Sequence, residues 1–197
     1  MSDPNKADRA ENRGTLILVV GPSGSGKDTL IDAAKSALAD DPRFHFPTRD
    51  ITRPADAGGE KHNPVDTATL DRRRAAGDYA LAWGAHSLFY GVPAEIGDVL
   101  AAGTSVVVNV SRSVIGEARD RFPPTAVVNL SVPEAMLRAR LSARGRETAE
   151  QIDARVARAA AVPVSGPHVF DVVNDGTVET AVARFLHALR TAESLTD

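Results

Sequence analysis

Cysteine is absent from the 197 residues, which removes disulfides, thiolate metal sites and iron–sulfur clusters from consideration. The five histidines are scattered, without paired metal-ligand spacing. No apolar stretch approaches the roughly 20 residues that span a bilayer, so no membrane partner is expected. Met1 to Arg13 lacks the apolar core of a signal peptide and reads as a disordered tail, residues 1–13, ahead of a single cytoplasmic domain, residues 14–197. Charge of neither sign dominates. Lysine and arginine number 23 against 26 aspartates and glutamates, and a net charge of −3 argues against a nucleic-acid partner. Aromatic residues make up 5% of the chain, and its one tryptophan, Trp83, reads as a packing anchor rather than a stacking platform. What remains is a chain long enough to bury a proper core. Its cations are mostly arginine and locally clustered, as suits an anionic small molecule. The oligomeric state stays open, a homodimer included.

Apolar runs alternate with amphipathic segments in the manner of a three-layer α/β fold, a parallel sheet flanked by helices. Strands are expected at Thr15–Val20, Ser105–Val110, Ala126–Leu130 and His168–Val173. Helices are expected at Lys27–Ala39, Pro93–Ala101, Pro133–Ala143, Ala149–Ala161 and Val178–Leu189, two of them opening on proline. Residues 44–92 break the alternation and read as an irregular insertion, with short strands around Tyr79–Trp83 and Leu88–Tyr90. The core is then 14–43 and 93–197.

Directly after the first apolar run comes Gly21-Pro22-Ser23-Gly24-Ser25-Gly26-Lys27-Asp28-Thr29. A strand feeding a glycine-rich turn that ends in lysine at a helix start is the phosphate-cradling P-loop. Backbone N–H groups converge on the phosphates, the helix adds its positive end, and Lys27 brings a mobile charge. ATP is therefore the expected cofactor, with Gly21, Ser23, Gly24, Ser25, Gly26, Lys27, Asp28 and Thr29 around it. Asp28 stands where a serine or threonine hydroxyl normally reaches Mg²⁺. Its carboxylate is read as the metal-site residue, direct or through water; the alternative is a helix N-terminal charge with no metal role. Polar groups also follow other strands, at Asn109-Val110-Ser111-Arg112 and Asn174-Asp175-Gly176. Ligands of open parallel sheets bind at such strand ends.

Arg138, Arg140, Arg144 and Arg146 crowd one helix end and the turn after it, and Arg155 and Arg158 lie on the next helix. They either pair with Glu134, Glu147, Glu150 and Asp153 on a solvated face, or serve a lid over residues 144–158 that brings Arg140, Arg144 and Arg155 to a transferring phosphoryl group. With a P-loop in the same chain the lid is favoured, and Gly145 is its hinge candidate. In the insertion, Arg53 and Tyr90 are candidate ligands of an acceptor phosphate, with His62 and His86 as further donors.

Gly-Pro-Ser-Gly-Ser-Gly-Lys, Ile51-Thr52-Arg53-Pro54, Trp83, Phe89-Tyr90-Gly91, Arg140-Leu141, Arg144-Gly145-Arg146-Glu147 and Val173-Asn174-Asp175 together resemble the guanylate kinase fold family along nearly the whole chain. That resemblance implies an acceptor-binding insertion at 44–92, an arginine lid, and catalytic roles for Lys27, Arg140, Arg144 and Arg155. It also implies an adenine contact at Asn174. Guanylate kinases read guanine with carboxylates where this chain holds Ala82, Asn109 and Ser111. A site built to hydrogen-bond a base depends on every partner, so an acceptor with phosphate but no nucleobase is expected. Gly-Lys-Asp-Thr, Arg49-Asp50-Ile51-Thr52-Arg53, the Gly58, Glu60, His62 triplet and Asn109-Val110-Ser111-Arg112 are similar to the ribose 1,5-bisphosphate phosphokinases of bacterial phosphonate breakdown. These transfer the γ-phosphoryl of ATP to the 1-phosphate of ribose 1,5-bisphosphate, giving 5-phosphoribosyl 1-diphosphate. The resemblance places Arg53 and Tyr90 on one phosphate, Arg49, His62 or Arg112 on the other, and Asn109 and Ser111 on the ribose hydroxyls. A nucleoside monophosphate kinase and a guanylate kinase-like protein-interaction module are the alternatives.

Overall fold

The computed structural model describes residues 13–55, 60–85, 87–143, 145, 148–161 and 163–195. Residues 1–12, and with them most of the expected tail, lie outside this set, as do Gly58, His86, Arg144, Arg146 and Glu147 and the side chain of Arg158. The first apolar run forms β1 (Leu16–Val20), every residue of which is buried. It lies at the centre of a five-stranded sheet, flanked by β7 (Ser105–Asn109) and β8 (Thr125–Ser131). β2 (Phe44–His45) and β9 (Val169–Val173) complete the order β2-β7-β1-β8-β9, and every pairing is parallel.

A central strand covered on both faces reads as a continuous apolar run, and its alternation splits the core in two. Ile17 and Val19 join the cluster beneath α1 (Lys27–Ala37) and α7 (Val178–Glu193), where Leu30, Ile31, Phe185 and Leu189 pack. Leu16, Leu18 and Val20 face the opposite cluster, with Ile96 and Leu100 of α3 (Ile96–Ala101) and Ile115 and Ala118 of α4 (Ile115–Arg121). This is the expected three-layer arrangement.

Between β2 and α3 a second sheet is built in the order β4-β3-β6-β5, from β3 (Asp50–Ile51), β4 (Asn63–Pro64), β5 (Tyr79–Ala85) and β6 (Leu88–Pro93). Because Phe44–His45 pairs with β7 in the core sheet, this second sheet starts at Asp50 rather than at residue 44. A helix that the sequence reading left out, α2 (Thr67–Ala76), crosses it. Asp66 caps α2 by accepting from Thr69 N at 2.6 Å, but only Leu70 of the helix is buried, so its apolar periodicity is weak. The expected Pro93–Ala101 helix begins later, at Ile96, because Pro93 ends β6 opposite Tyr79. α5 (Glu134–Ala143) and α6 (Ala149–Ala161) form a helix pair joined through a small apolar cluster of Leu137, Leu141, Ile152 and Val156.

Candidate active site

The P-loop follows β1 and ends at Gly26, which precedes α1 with φ 90°. No side chain is tolerated there: a Cβ on Gly26 would stand 2.6 Å from Asn174 Nδ2. Asn174, at the end of β9, is buried and donates from Nδ2 to the Ser25 carbonyl at 2.8 Å, while Arg140 Nη2 lies 3.5 Å from its Oδ1. Ser25, Asn174 and Arg140 thus stand behind the loop and brace it; none of the three lines the cleft in front. Gly24 lets the loop close onto the helix pair, since an added Cβ would meet Leu137 at 3.1 Å and Leu141 at 3.3 Å. The Oγ of Ser25 is buried with no hydrogen-bond partner among the described residues.

In front of the loop lies a cleft of about 420 Å³, lined by Gly21, Ser23, Gly24, Gly26, Lys27, Asp28 and Thr29 on one side. Arg49, Arg53, Tyr90, Asn109, Ser111 and Arg112 line the other, and Arg155 of α6 closes one end. Of the expected site residues, these come together in one place. Lys27 Nζ donates to the carbonyls of Gly21 at 2.6 Å and Pro22 at 3.0 Å. Burial pulls its pKa down to about 8, aided by the charges of Arg49 and Arg112 and opposed by Asp28 and Glu60. Asp28 is shifted the other way: burial first, and the neighbouring Glu60 carboxylate second, raise its pKa.

The acceptor side is built on stacked rings. β5 and β6 pair Trp83 with Tyr90, whose rings stack with centroids 5.2 Å apart. The Arg49 guanidinium lies 5.5 Å over the first ring and 5.3 Å over the second. Burial raises the pKa of the Tyr90 hydroxyl. Arg53 donates through Nη2 toward the Glu60 carbonyl at 3.3 Å, while its Nε is buried with no hydrogen-bond partner among the described residues. Ser111 caps the turn before α4, accepting from Ser113 N at 3.3 Å. Burial lowers the pKa of Arg112.

Other placements differ from the expectations or decide between them. His62 does not line the cleft; its Nε2 lies 3.0 Å from the Arg53 carbonyl, and its Nδ1 lies 3.0 Å from the Glu60 carbonyl and 3.1 Å from Arg53 Nη2, so it links Arg53 to Glu60. Ala82 pairs with Gly91 on the sheet face turned from the cleft, so the missing base-reading carboxylates reduce to Asn109 and Ser111. Arg138 takes the solvated-face alternative, bonding Asp153 and Glu134. Glu60, absent from the expected ligands, lines the cleft beside Arg49 and Asn109. It lies 11 residues from Arg49 and 49 from Asn109, both of which bond it, so no local spacing pointed to it.

Among the described residues there is no cluster of three or more potential metal-ligating carboxylates or histidines. That suits Mg²⁺, which usually keeps several waters and takes one or two carboxylates together with substrate phosphates. Asp28, a carboxylate open to the cleft beside the P-loop lysine, fits such a role.

The guanylate kinase family model matches residues 13–192. A ribose 1,5-bisphosphate phosphokinase PhnN of Acidiphilium cryptum is 50% identical over 176 residues, 89% of this chain and 92% of that one. Its counterpart in Brucella melitensis is 42% identical over 90% of this chain and 92% of its own length. A bifunctional ribose 1,5-bisphosphokinase-thymidine phosphorylase of Cupriavidus necator is 47% identical, and there the chain spans only 29% of the relative's length. The fold is shared with a guanylate kinase from Anaplasma phagocytophilum, at a TM-score of 0.61 and 17% identity over 95% of this chain and 90% of that one. The family match runs unbroken from the strand before the P-loop into α7, and relatives of nearly equal length share two residues in five or more; the chain belongs to the guanylate kinase family, among its ribose 1,5-bisphosphate phosphokinases.

Proposed function

We propose that the chain transfers the γ-phosphoryl group of ATP to the 1-phosphate of α-D-ribose 1,5-bisphosphate, giving 5-phospho-α-D-ribose 1-diphosphate and ADP. The observation that carries this reading is the composition of the cleft before the P-loop: five cations, Lys27, Arg49, Arg53, Arg112 and Arg155, around one space, with a buried Arg53 Nε that no described group satisfies. An unpaired buried donor costs about 1–3 kcal/mol, which an incoming phosphate oxygen removes. Between the two phosphate-holding ends the wall presents Asn109 and Ser111 rather than a pair of carboxylates fit for a base edge.

The nucleophile is a phosphate oxygen already ionised at neutral pH, so no general base is required. Two polyanions must be held together against their repulsion, which is a matter of positioning and electrostatics. The P-loop amides and Lys27 hold the ATP phosphates, and Arg53, Tyr90 and Arg112 hold those of the sugar. Arg155 faces the reacting end from the helix pair, which with Arg144 forms the lid of residues 144–158. Arg140 serves by bracing Asn174 behind the loop. Mg²⁺ bound with ATP beside Asp28 would neutralise part of the phosphate charge. The acceptor-binding unit is the second sheet with α2, and the P-loop core is the rest of the domain.

The test is ADP release with ATP and Mg²⁺, comparing ribose 1,5-bisphosphate with GMP and weighing the product by mass spectrometry. Turnover confined to the sugar bisphosphate, with the 1-diphosphate as product, is expected. Preference for GMP would refute the reading and return the chain to the nucleotide kinases.

A further inference from the structure

The cleft that takes two polyanions also holds a carboxylate with no phosphate to bind. Glu60 lies on the acceptor wall with its side chain 17% exposed. Its Oε1 accepts from Arg49 Nε at 3.0 Å and Nη2 at 2.5 Å, and its Oε2 accepts from Asn109 Nδ2 at 3.0 Å. The two sides of this clamp belong to different sheets, Arg49 immediately before β3 of the second sheet and Asn109 at the carboxyl end of β7. Arg49 is further fixed by lying over Trp83 and Tyr90. Its guanidinium is therefore committed, one face to the rings and one edge to Glu60, instead of presenting a fork to a phosphate.

A carboxylate clamped from both sides is held in position when an anion arrives, and it repels a phosphate oxygen. What it accepts is a proton donor. Each of its oxygens has room for two bonds, and Oε2 receives one from Asn109. A ribose bisphosphate offers two hydroxyl donors, at C2 and C3, between its phosphates. The cations of the cleft suit its phosphates, and the Glu60 carboxylate suits the hydroxyls between them.

Resting on the proposed function, we propose that the Glu60 carboxylate, oriented by Arg49 and Asn109, accepts hydrogen bonds from the ribose hydroxyls and selects a sugar bisphosphate with an intact 2,3-diol. Arg49 then acts as a positioning residue rather than a phosphate ligand. Asn109 reaches the sugar through Glu60.

The experiment compares kcat/KM for ribose 1,5-bisphosphate with its 2-deoxy and 3-deoxy analogues, in wild type, Glu60→Gln and Glu60→Asp. A site built around a substrate hydroxyl rejects the analogue lacking it, and here a charge-assisted bond implies rejection of at least one deoxy sugar by about 10- to 100-fold. In Glu60→Gln that ratio falls to near unity while the KM for ATP holds. Glu60→Asp, which keeps the charge but retracts it by one methylene, gives an intermediate ratio and serves as the folded control. Identical ratios in wild type and both variants overturn the assignment, as does a wild type indifferent to either deoxy sugar. A carboxylate also accepts from the ring N–H of a base, so wild-type turnover of GMP without turnover of ribose 1,5-bisphosphate overturns the functional reading beneath it.

Discussion

Lys27 meets ATP in an unusual state, and the consequence can be worked through. Without nucleotide its ammonium is buried against two backbone carbonyls and its pKa is held down to about 8. A triphosphate placed in the cradle supplies the missing counter-charge and returns the group toward its ordinary value of 10.5. Binding then takes up a proton, and the affinity must fall as pH rises through the window between those two values. With the two limits as stated, affinity for ATP drops about 20-fold between pH 7.5 and 9.5. Near pH 8 about half a proton is taken up per ATP bound. The charged groups facing the lysine are Arg49 and Arg112, which lower its pKa, and Asp28 and Glu60, which raise it. Calorimetry with a non-hydrolysable ATP analogue and Mg²⁺, in two buffers of different ionisation enthalpy, reads both quantities. Lys27→Met binds more weakly and loses the slope. A wild-type affinity flat across the window, with no proton uptake, would refute the idea that the lysine is released from its carbonyl partners by phosphate.

Asn174→Ala leaves the buried Ser25 carbonyl without its donor, and the KM for ATP rises about tenfold with the KM for the sugar little changed. An unaltered KM for ATP would show that the loop keeps its shape without the brace. Asp50, buried in the second sheet, accepts from Arg73 at 2.5 Å, Tyr79 at 2.6 Å and Asn63 at 3.3 Å. Because Arg73 is half exposed, Asp50→Ala costs roughly 2–3 kcal/mol in urea unfolding, toward the low end for a broken buried pair. The same change removes both causes besides burial, the Asp50 hydrogen bond and the Asp50 charge, that push the Tyr79 pKa up to about 12, so absorbance titration finds that phenol ionising at lower pH. An unchanged titration would mean that burial alone holds Tyr79 neutral.

What could be read from the chain tracks how local the cause is. β1 is legible because a central parallel strand needs apolar residues on both faces, and five in a row are there. The P-loop after it is legible because all its ligands are contiguous. α2 escaped because a helix lying on an open surface buries one leucine, so its sequence carries caps but almost no stripe. α4, seven residues long, supplies just two buried side chains. Pro93 was misread as a helix opener because proline suits both a first helical turn and a strand's last position, and only the partner strand decides between them.

The same rule divides the two halves of the site. The nucleotide half is one loop and one helix end, so its residues announce themselves together. The acceptor half is assembled from four separated segments, and each side chain's role is set by a neighbour far along the chain. Arg49, expected on a phosphate, is turned to Glu60; Asn109, expected on the ribose, donates to the same carboxylate; His62, expected on a phosphate, lies between Arg53 and the Glu60 backbone. Arginine, asparagine and histidine at those positions identify a polar, anion-accepting wall, but not which of them touches the ligand. That division follows from the chemistry. Holding ATP phosphates takes backbone N–H groups and one cation, which any short glycine-rich turn can present, whereas discrimination among acceptors needs side chains fixed by partners of their own. In this wall Glu60, bonded by Arg49 beside the second sheet and by Asn109 of the core sheet, ties a side chain of each to one carboxylate.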